Sequence, residues 1–232
     1  MTHVSEKVAE QYEHYYDSYN PEEWRLGAID KAENVLTLCS GLNIKSVLDI
    51  GCGEGSIIDR LSELKFGKNY LGLDLSSPAI LRAKSRAIPD AQFQAFDGST
   101  IGFPEKVFDL AILSHVVEHL EHPRALIREA HRVAKHVFIE VPCEHTLRMR
   151  KDYVPTPTGH INFYTSSTIR RLVQTCGLTV ERQIVKDCSL KSMQLYGKYR
   201  GFLQHAARST ALTIMPRIAP FIFVYHSALL CR

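Results

Sequence analysis

Val47-Leu48-Asp49-Ile50-Gly51-Cys52-Gly53-Glu54-Gly55, VLDIGCGEG, decides the fold. An apolar run enters a turn with a glycine at every second position. Behind it, SIIDRLSEL (56–64) places Ile57, Ile58, Leu61 and Leu64 on one helical face. A buried strand that passes through glycines into a helix is the start of a βα unit. A turn this tight needs residues without a Cβ, for positive φ and for close approach of the backbone to a ligand. In such units the ligand lies beyond the carboxyl ends of the strands.

The same alternation continues on the C-terminal side. YLGLDL (70–75) reads as a strand, and SSPAILRAKSRA follows it as a helix with Ser77 as cap and Pro78 at its first position. AQFQAFD (91–97) and VFDLAILS (107–114) read as strands, PRALIREAHRVA as a helix with Leu126, Ile127, Ala130 and Val133 on one face, and HVFIEVP (136–142) as a strand that Pro142 ends. TSSTIRRLVQTCG carries the stripe Ile169, Leu172, Val173 and Cys176 and stops at Gly177. LTVERQIV (178–185) and FIFVYHSALL (221–230) read as closing strands around a mostly helical stretch at 191–215. Alternating units of this kind predict a parallel sheet with helices on both faces. The two closing strands are expected to pair antiparallel at an edge. The whole of 1–232 reads as a single domain.

The chain of 232 residues is 45% hydrophobic, which suits a globular protein with a real core. Its N-terminus is polar and acidic rather than a secretion signal, and no apolar run is long enough to span a bilayer. Cys39, Cys52, Cys143, Cys176, Cys188 and Cys231 form no C-x-x-C pair and sit mostly among apolar neighbours. Reduced thiols and a cytoplasmic location are expected. The net charge of +3 is unevenly placed. Residues 1–24 are acidic, and no acid follows Asp187, whereas Lys191, Lys198, Arg200, Arg208, Arg217 and Arg232 do. Such a region is either a solvated face or a surface for an anionic substrate, lipid or nucleic acid.

Three features stand at successive strand ends. Gly51, Gly53 and Gly55 are spaced G-x-G-x-G, and Ser56 stands where a dinucleotide fingerprint has its third glycine. Asp74 closes the second strand, where a carboxylate can accept from both hydroxyls of a ribose. Asp97 closes the third, within reach of an adenine amino group.

VLDIGCGEG, LGLDLS, FQAFDGST and FDLAILSHVVEHLEHP, in this order, resemble the class I S-adenosylmethionine-dependent methyltransferases over about residues 22–190. Together with GHINFYTSSTIRRLVQTCGL, they look like the small-molecule branch that includes quinone, sugar and secondary-metabolite enzymes, and ubiquinone-biosynthesis methyltransferases in particular. The resemblance implies a Rossmann-like, doubly wound α/β sheet of seven strands with the last one antiparallel, and S-adenosylmethionine as cofactor. It implies that Gly51, Gly53 and Gly55 approach the methionine part, with Asp49 beneath it, that Asp74 binds the ribose, and that Asp97 and Gly98 recognise adenine. Cys52, Leu75, Phe96 and Ser114 belong to the same site. It also implies an N-terminal helical lid over 1–40. There Tyr16 and its aromatic neighbours cover the cofactor, and Arg25 pairs the methionine carboxylate.

SHVVEHL (114–120) contains His115-x-x-Glu118-His119, the ligand pattern of one class of zinc proteases. Here it follows a buried strand and Pro123 breaks it, so that reading fails on context. At the end of the fourth strand, His115 is the candidate base that takes a proton from an acceptor hydroxyl, and His119 serves the same end. The small-RNA 2′-O-methyltransferases resemble this chain in a Glu-x-x-Glu-His cluster with a later histidine, for which His160 would stand. His115 replaces the first Glu, so no metal and no stable nucleic-acid partner are expected. A nicotinamide-dependent oxidoreductase is the alternative on the same architecture. Acceptor choice falls to two acceptor-side insertions, 143–164 with Arg148, Tyr153 and His160, and 191–217 with Tyr199, Arg200 and Arg208. Cations beside aromatics suit a small acceptor that is anionic or lipid-linked, with peripheral membrane contact.

Overall fold

The computed structural model describes residues 20–147, 149, 151–152 and 159–232. Its core is a seven-stranded sheet in the order β3-β2-β1-β4-β5-β7-β6. The strands are β1 (Ser46–Ile50), β2 (Asn69–Asp74), β3 (Ala91–Ala95), β4 (Phe108–Ser114), β5 (Ala134–Pro142), β6 (Val180–Lys186) and β7 (His226–Cys231). β1 to β5 pair in parallel, and β7 runs antiparallel to both of its neighbours. The closing strands pair with each other as expected, but β7 inserts between β5 and β6, which leaves β6 at the edge.

The helices are α1 (Pro21–Leu38), α2 (Ser56–Glu63), α3 (Ser77–Ser85), α4 (Pro123–Val133), α5 (Ser166–Thr175), α6 (Leu190–Gln194), α7 (Lys198–Ile214) and α8 (Ala219–Ile222). Successive residues of a strand point to opposite faces. Leu48 and Ile50 of β1 therefore join one core with Leu126, Ile127 and Val173 of α4 and α5. Val47 joins the other with Val35, Ile58 and Ile80 of α1, α2 and α3. Each such aliphatic side chain removed from water contributes about 1.5–3 kcal/mol.

Two local readings change. Ser76, not Ser77, caps α3, its hydroxyl accepting the Ala79 N–H at 3.3 Å. The last strand begins at His226, because Pro220 sits in the first turn of α8 and that helix takes the apolar residues to Ile222.

The chain order reverses between β1 and β4, which lie side by side. A crevice at their carboxyl ends is the expected ligand position of a doubly wound sheet.

Candidate active site

A cavity of about 470 Å³ opens at that crevice. Its floor is the glycine turn. The N–H groups of Gly51 and Cys52 both donate to the Leu73 carbonyl, at 2.7 and 3.0 Å, which ties the turn to the end of β2. Gly51 has φ +78°, and a Cβ there would lie 2.5 Å from Val116 Cγ2. The turns after β1 and β4 thus touch, and only glycine fits between them. Gly55 is needed for a different reason. It is left-handed at the start of α2, its missing Cβ is replaced by the Phe93 ring, and it does not line the cavity.

Asp74 holds the turn from the side. Its Oδ2 accepts the Gly53 N–H and its Oδ1 the Ser76 N–H, both at 2.8 Å. Burial raises its pKa against those hydrogen bonds. The carboxylate lines the cavity, with lone pairs left over from these two hydrogen bonds. Asp49 lies beneath, fully buried, with neither oxygen hydrogen-bonded. Burial pushes its pKa to about 7, with the Lys31 charge opposing and that of Asp74 adding to the rise.

The wall at the end of β4 and β5 is built of imidazoles and acids. Ser114 donates through Oγ to Glu140 Oε2 at 3.0 Å, and Asn34 of α1 donates to Glu140 Oε1 at 2.7 Å. Burial takes the Glu140 pKa to about 7. His115 follows in the left-handed region, φ +58°, a strained position for a residue with a Cβ. Its Nδ1 lies 3.3 Å from Glu118 Oε1, and its ring meets that of His226 edge-on at 4.9 Å. Burial lowers the pKa of His115 well below the ordinary value and that of His226 to about 3, so both rings are neutral.

One atom from each of His115, Glu140 and His226 lies within 4.8 Å of the others, and the same holds for Glu118, His119 and His160. Glu118 is wholly buried, with both oxygens lacking a hydrogen bond. His119 donates through Nδ1 to the Gly159 carbonyl at 3.3 Å and His160 through Nδ1 to Glu144 at 2.6 Å. Burial lowers the His119 pKa. It also acts against charge on His160, but the Glu144 hydrogen bond and the Glu118 charge prevail and raise that pKa. The sequence offered Glu118, His119 and His160 as the candidate set while no metal was expected, and the structure brings the three together. Two imidazoles and a carboxylate converge, and each Nδ1 is held by an outer acceptor, as is usual for a bound divalent transition ion.

A profile of a methyltransferase domain family matches residues 16–183, well over half of the chain. The chain belongs to the S-adenosylmethionine-dependent methyltransferases. Among curated relatives, it is 31% identical to the mitochondrial ubiquinone biosynthesis O-methyltransferase of Saccharomyces cerevisiae over 86 residues, 36% of this chain and 28% of that one. It is 34% identical to the malonyl-[acyl-carrier protein] O-methyltransferase of Salmonella typhimurium over 104 residues, 45% and 40% of the two chains. These matches span well under half of the relatives' own length. An N-methyltransferase of Haemonchus contortus, solved with phosphomonomethylethanolamine and S-adenosylhomocysteine, superposes with TM-score 0.63 at 14% identity, over 95% of this chain and 59% of that one. That likeness concerns the fold.

With S-adenosylmethionine as the cofactor of this methyltransferase, the expected residues sort as follows. Gly51, Cys52, Gly53, Asp74, Leu75, Phe96, Gly98, Ser114, His115, His119 and His160 all line the cavity. Asp97 does not. Its exposed carboxylate accepts the N–H and the hydroxyl of Ser99, at 2.9 and 2.7 Å, in a tight local turn. Arg25 is also misplaced, because it forks onto Glu22 of its own helix at 2.8–3.0 Å and lies outside the cavity. The face of α1 that covers the cofactor cleft is Trp24, Gly27, Ala28 and Lys31, spaced as one helical stripe. Lys31 is the cation that the sequence reading missed, and its charge reaches Asp49, His115 and Glu140.

The acceptor-side expectations fare differently. Arg208 is not available to a substrate. Its Nε and Nη2 bind Asp187 at 2.5–3.0 Å, Nη2 also donates to the Val224 carbonyl, and the guanidinium lies over the Phe223 and Tyr225 rings. Tyr199 and Arg200 are exposed on α7 and do not line the cavity. Tyr16, Arg148 and Tyr153 lie outside the described residues.

Proposed function

We propose that this methyltransferase carries the methyl group of S-adenosylmethionine to a hydroxyl of a small-molecule acceptor, with His115 as the general base. The observation that carries the reading is the place of His115. It stands at the end of β4, in one cavity with the glycine turn and Asp74, and it is a buried neutral imidazole backed by Glu118. The cofactor supplies an electrophilic methyl on a sulfonium, which an acceptor oxygen displaces in line. The chain's task is to hold that oxygen and remove its proton. The glycine turn and Asp74 fix the nucleoside, and Lys31 offers its ammonium to the amino-acid carboxylate. Leu120, Leu126, Pro142 and Val224 give the acceptor an apolar wall, and Trp24 on α1 narrows the opening to water.

The similar O-methyltransferases support transfer to oxygen. The free, mostly buried cysteines support a reducing, cytoplasmic setting. The test is transfer of labelled methyl to a panel of hydroxyl and amine acceptors by wild type and His115→Ala. Loss of turnover on hydroxyls with intact S-adenosylhomocysteine binding fits the reading. Equal turnover by the variant overturns it.

A second reading is favoured by the buried, unbonded carboxylate of Glu118. A divalent ion held by Glu118, His119 and His160 would polarise the acceptor oxygen. Its test is metal content of the purified protein against Glu118→Gln, together with turnover after chelation. A metal-free protein with full activity removes this reading and leaves the first.

A further inference from the structure

α7 is amphipathic the wrong way round for a surface helix. Its inner side carries Gly201, packed on the Met193 carbonyl, and Arg208 in its pair with Asp187. Its outer side carries Tyr199, Phe202, Leu203, Ala206, Thr210 and Ile214, spaced to form one stripe along the helix without a charge in it. Tyr199 is 82% exposed, Phe202 54%, Leu203 66% and Ile214 71%. The apolar surface runs on through Met215, Ile218 and Phe221, all exposed. The Leu147 N–H donates to the Phe221 carbonyl at 2.7 Å, which brings exposed Leu147 beside it. A contiguous apolar face of this kind marks a contact surface rather than a solvated one.

Charge identifies the occupant. Lys191, Lys198, Arg200 and Arg217 are exposed around the stripe, and no acid occurs from Cys188 to Arg232. The acids of neighbouring elements are engaged. Glu22 is held by Arg25, Glu23 by Tyr196, Asp30 by Ser189 and Ser192, and Asp187 by Arg208. An apolar, aromatic face ringed by more cations than acids suits the headgroup and upper acyl layer of an anionic bilayer. The 17 residues of α7 are about 25 Å long and would lie flat on it. No helix among the described residues is long and apolar enough to cross a membrane, so the contact is peripheral.

We propose that the outer face of α7, with α8, seats the protein on an anionic lipid surface. Val224, two residues beyond α8, lines the active-site cavity, so the seat borders its acceptor side. On the reading of that cavity as the methyl-transfer site, the acceptor is then a lipid-borne hydroxyl. Seating itself is measured without catalysis.

The test is co-sedimentation of the full chain with vesicles of phosphatidylcholine alone and with phosphatidylglycerol added. Binding is expected to rise on the order of a hundredfold with the anionic lipid, since about three cations each add roughly a fivefold gain near such a surface, and to fall with salt. Phe202→Glu with Leu203→Glu, and separately Lys198→Glu with Arg217→Glu, should abolish it while S-adenosylhomocysteine binding and thermal unfolding stay as in wild type. Variants that sediment like wild type, or a wild type that ignores both vesicles, overturn the proposal. So does a dimer in sedimentation velocity that the Phe202 and Leu203 changes dissociate, because the face then belongs to a second copy.

Discussion

His115 Nδ1 stands 3.3 Å from Glu118 Oε1, and the Glu118 carboxylate is wholly buried with no other group of hydrogen-bond geometry. The pair sits between the cofactor turn and the remaining imidazoles of the cavity. On the proposed reading, a buried carboxylate in that place stabilises the imidazolium that forms when His115 accepts a proton on Nε2, a buried atom without a hydrogen-bond partner. His115→Ala should therefore lower kcat by about 10²- to 10⁴-fold, the usual worth of a positioned base. Glu118→Gln should lower kcat with a smaller change in the acceptor KM. Steady-state kinetics with a hydroxyl acceptor decides. A variant that changes KM alone would make His115 a binding residue only.

On the cofactor side, Asp74→Ala and Lys31→Met should each weaken S-adenosylhomocysteine binding by about 1.5–3 kcal/mol, the worth of hydrogen bonds to a charged group. Arg25→Ala should leave it unchanged, since that guanidinium is turned to Glu22. Calorimetry separates the three. A large loss for Arg25→Ala with none for Lys31→Met would return the carboxylate contact to Arg25.

Which parts of the site were legible follows from the range of the contacts that make them. The glycine turn and Asp74 are local to a strand end, so spacing alone placed them. So did the strand that delivers His115. Lys31 was hidden because its place at the cavity depends on how α1 packs over the sheet, and a tryptophan, a glycine, an alanine and a lysine at 24, 27, 28 and 31 make no apolar stripe. Glu140 and His226 come together diagonally across antiparallel β5 and β7, 86 positions apart in sequence, where no local pattern links them. Asp97 was overread because a strand-end acid serves a turn as readily as a ligand, and Ser99 claims it.

A pH prediction rests on Asp109. Burial acts against its charge, but the Lys135 ammonium and the N–H groups of Lys45 and Ser46 prevail and hold its pKa at about 2, below the ordinary 3.8. A depressed carboxylate stabilises the fold in full above its unfolded value, and the contribution is lost as pH falls through the folded one. Asp109→Asn should cost on the order of 1–2 kcal/mol at neutral pH, discounted for the exposed lysine. Its stability should also fall less steeply than that of wild type between about pH 4 and about pH 2. Urea unfolding across that window checks both. Parallel curves for the two proteins would show that the clasp contributes nothing.

The last prediction concerns Arg208 and separates scaffold from substrate contact. Its side chain is largely buried and Asp187 almost wholly so, and the guanidinium also holds the Val224 carbonyl and two aromatic faces. Removing one partner of such a pair strands the other charge, which costs about 3–5 kcal/mol when fully buried and somewhat less here. Arg208→Ala should therefore destabilise the protein by about 2–4 kcal/mol and loosen the segment from Val224 to His226 that lines the cavity. Arg208→Lys should recover little, since an ammonium cannot fork onto the carboxylate or stack on the rings. Below the melting range, the acceptor KM of either variant should change no more than that of Asp187→Asn, which breaks the same pair from the other side. A KM raised by the arginine variants alone, at unchanged stability, would restore Arg208 as a contact for an anionic acceptor.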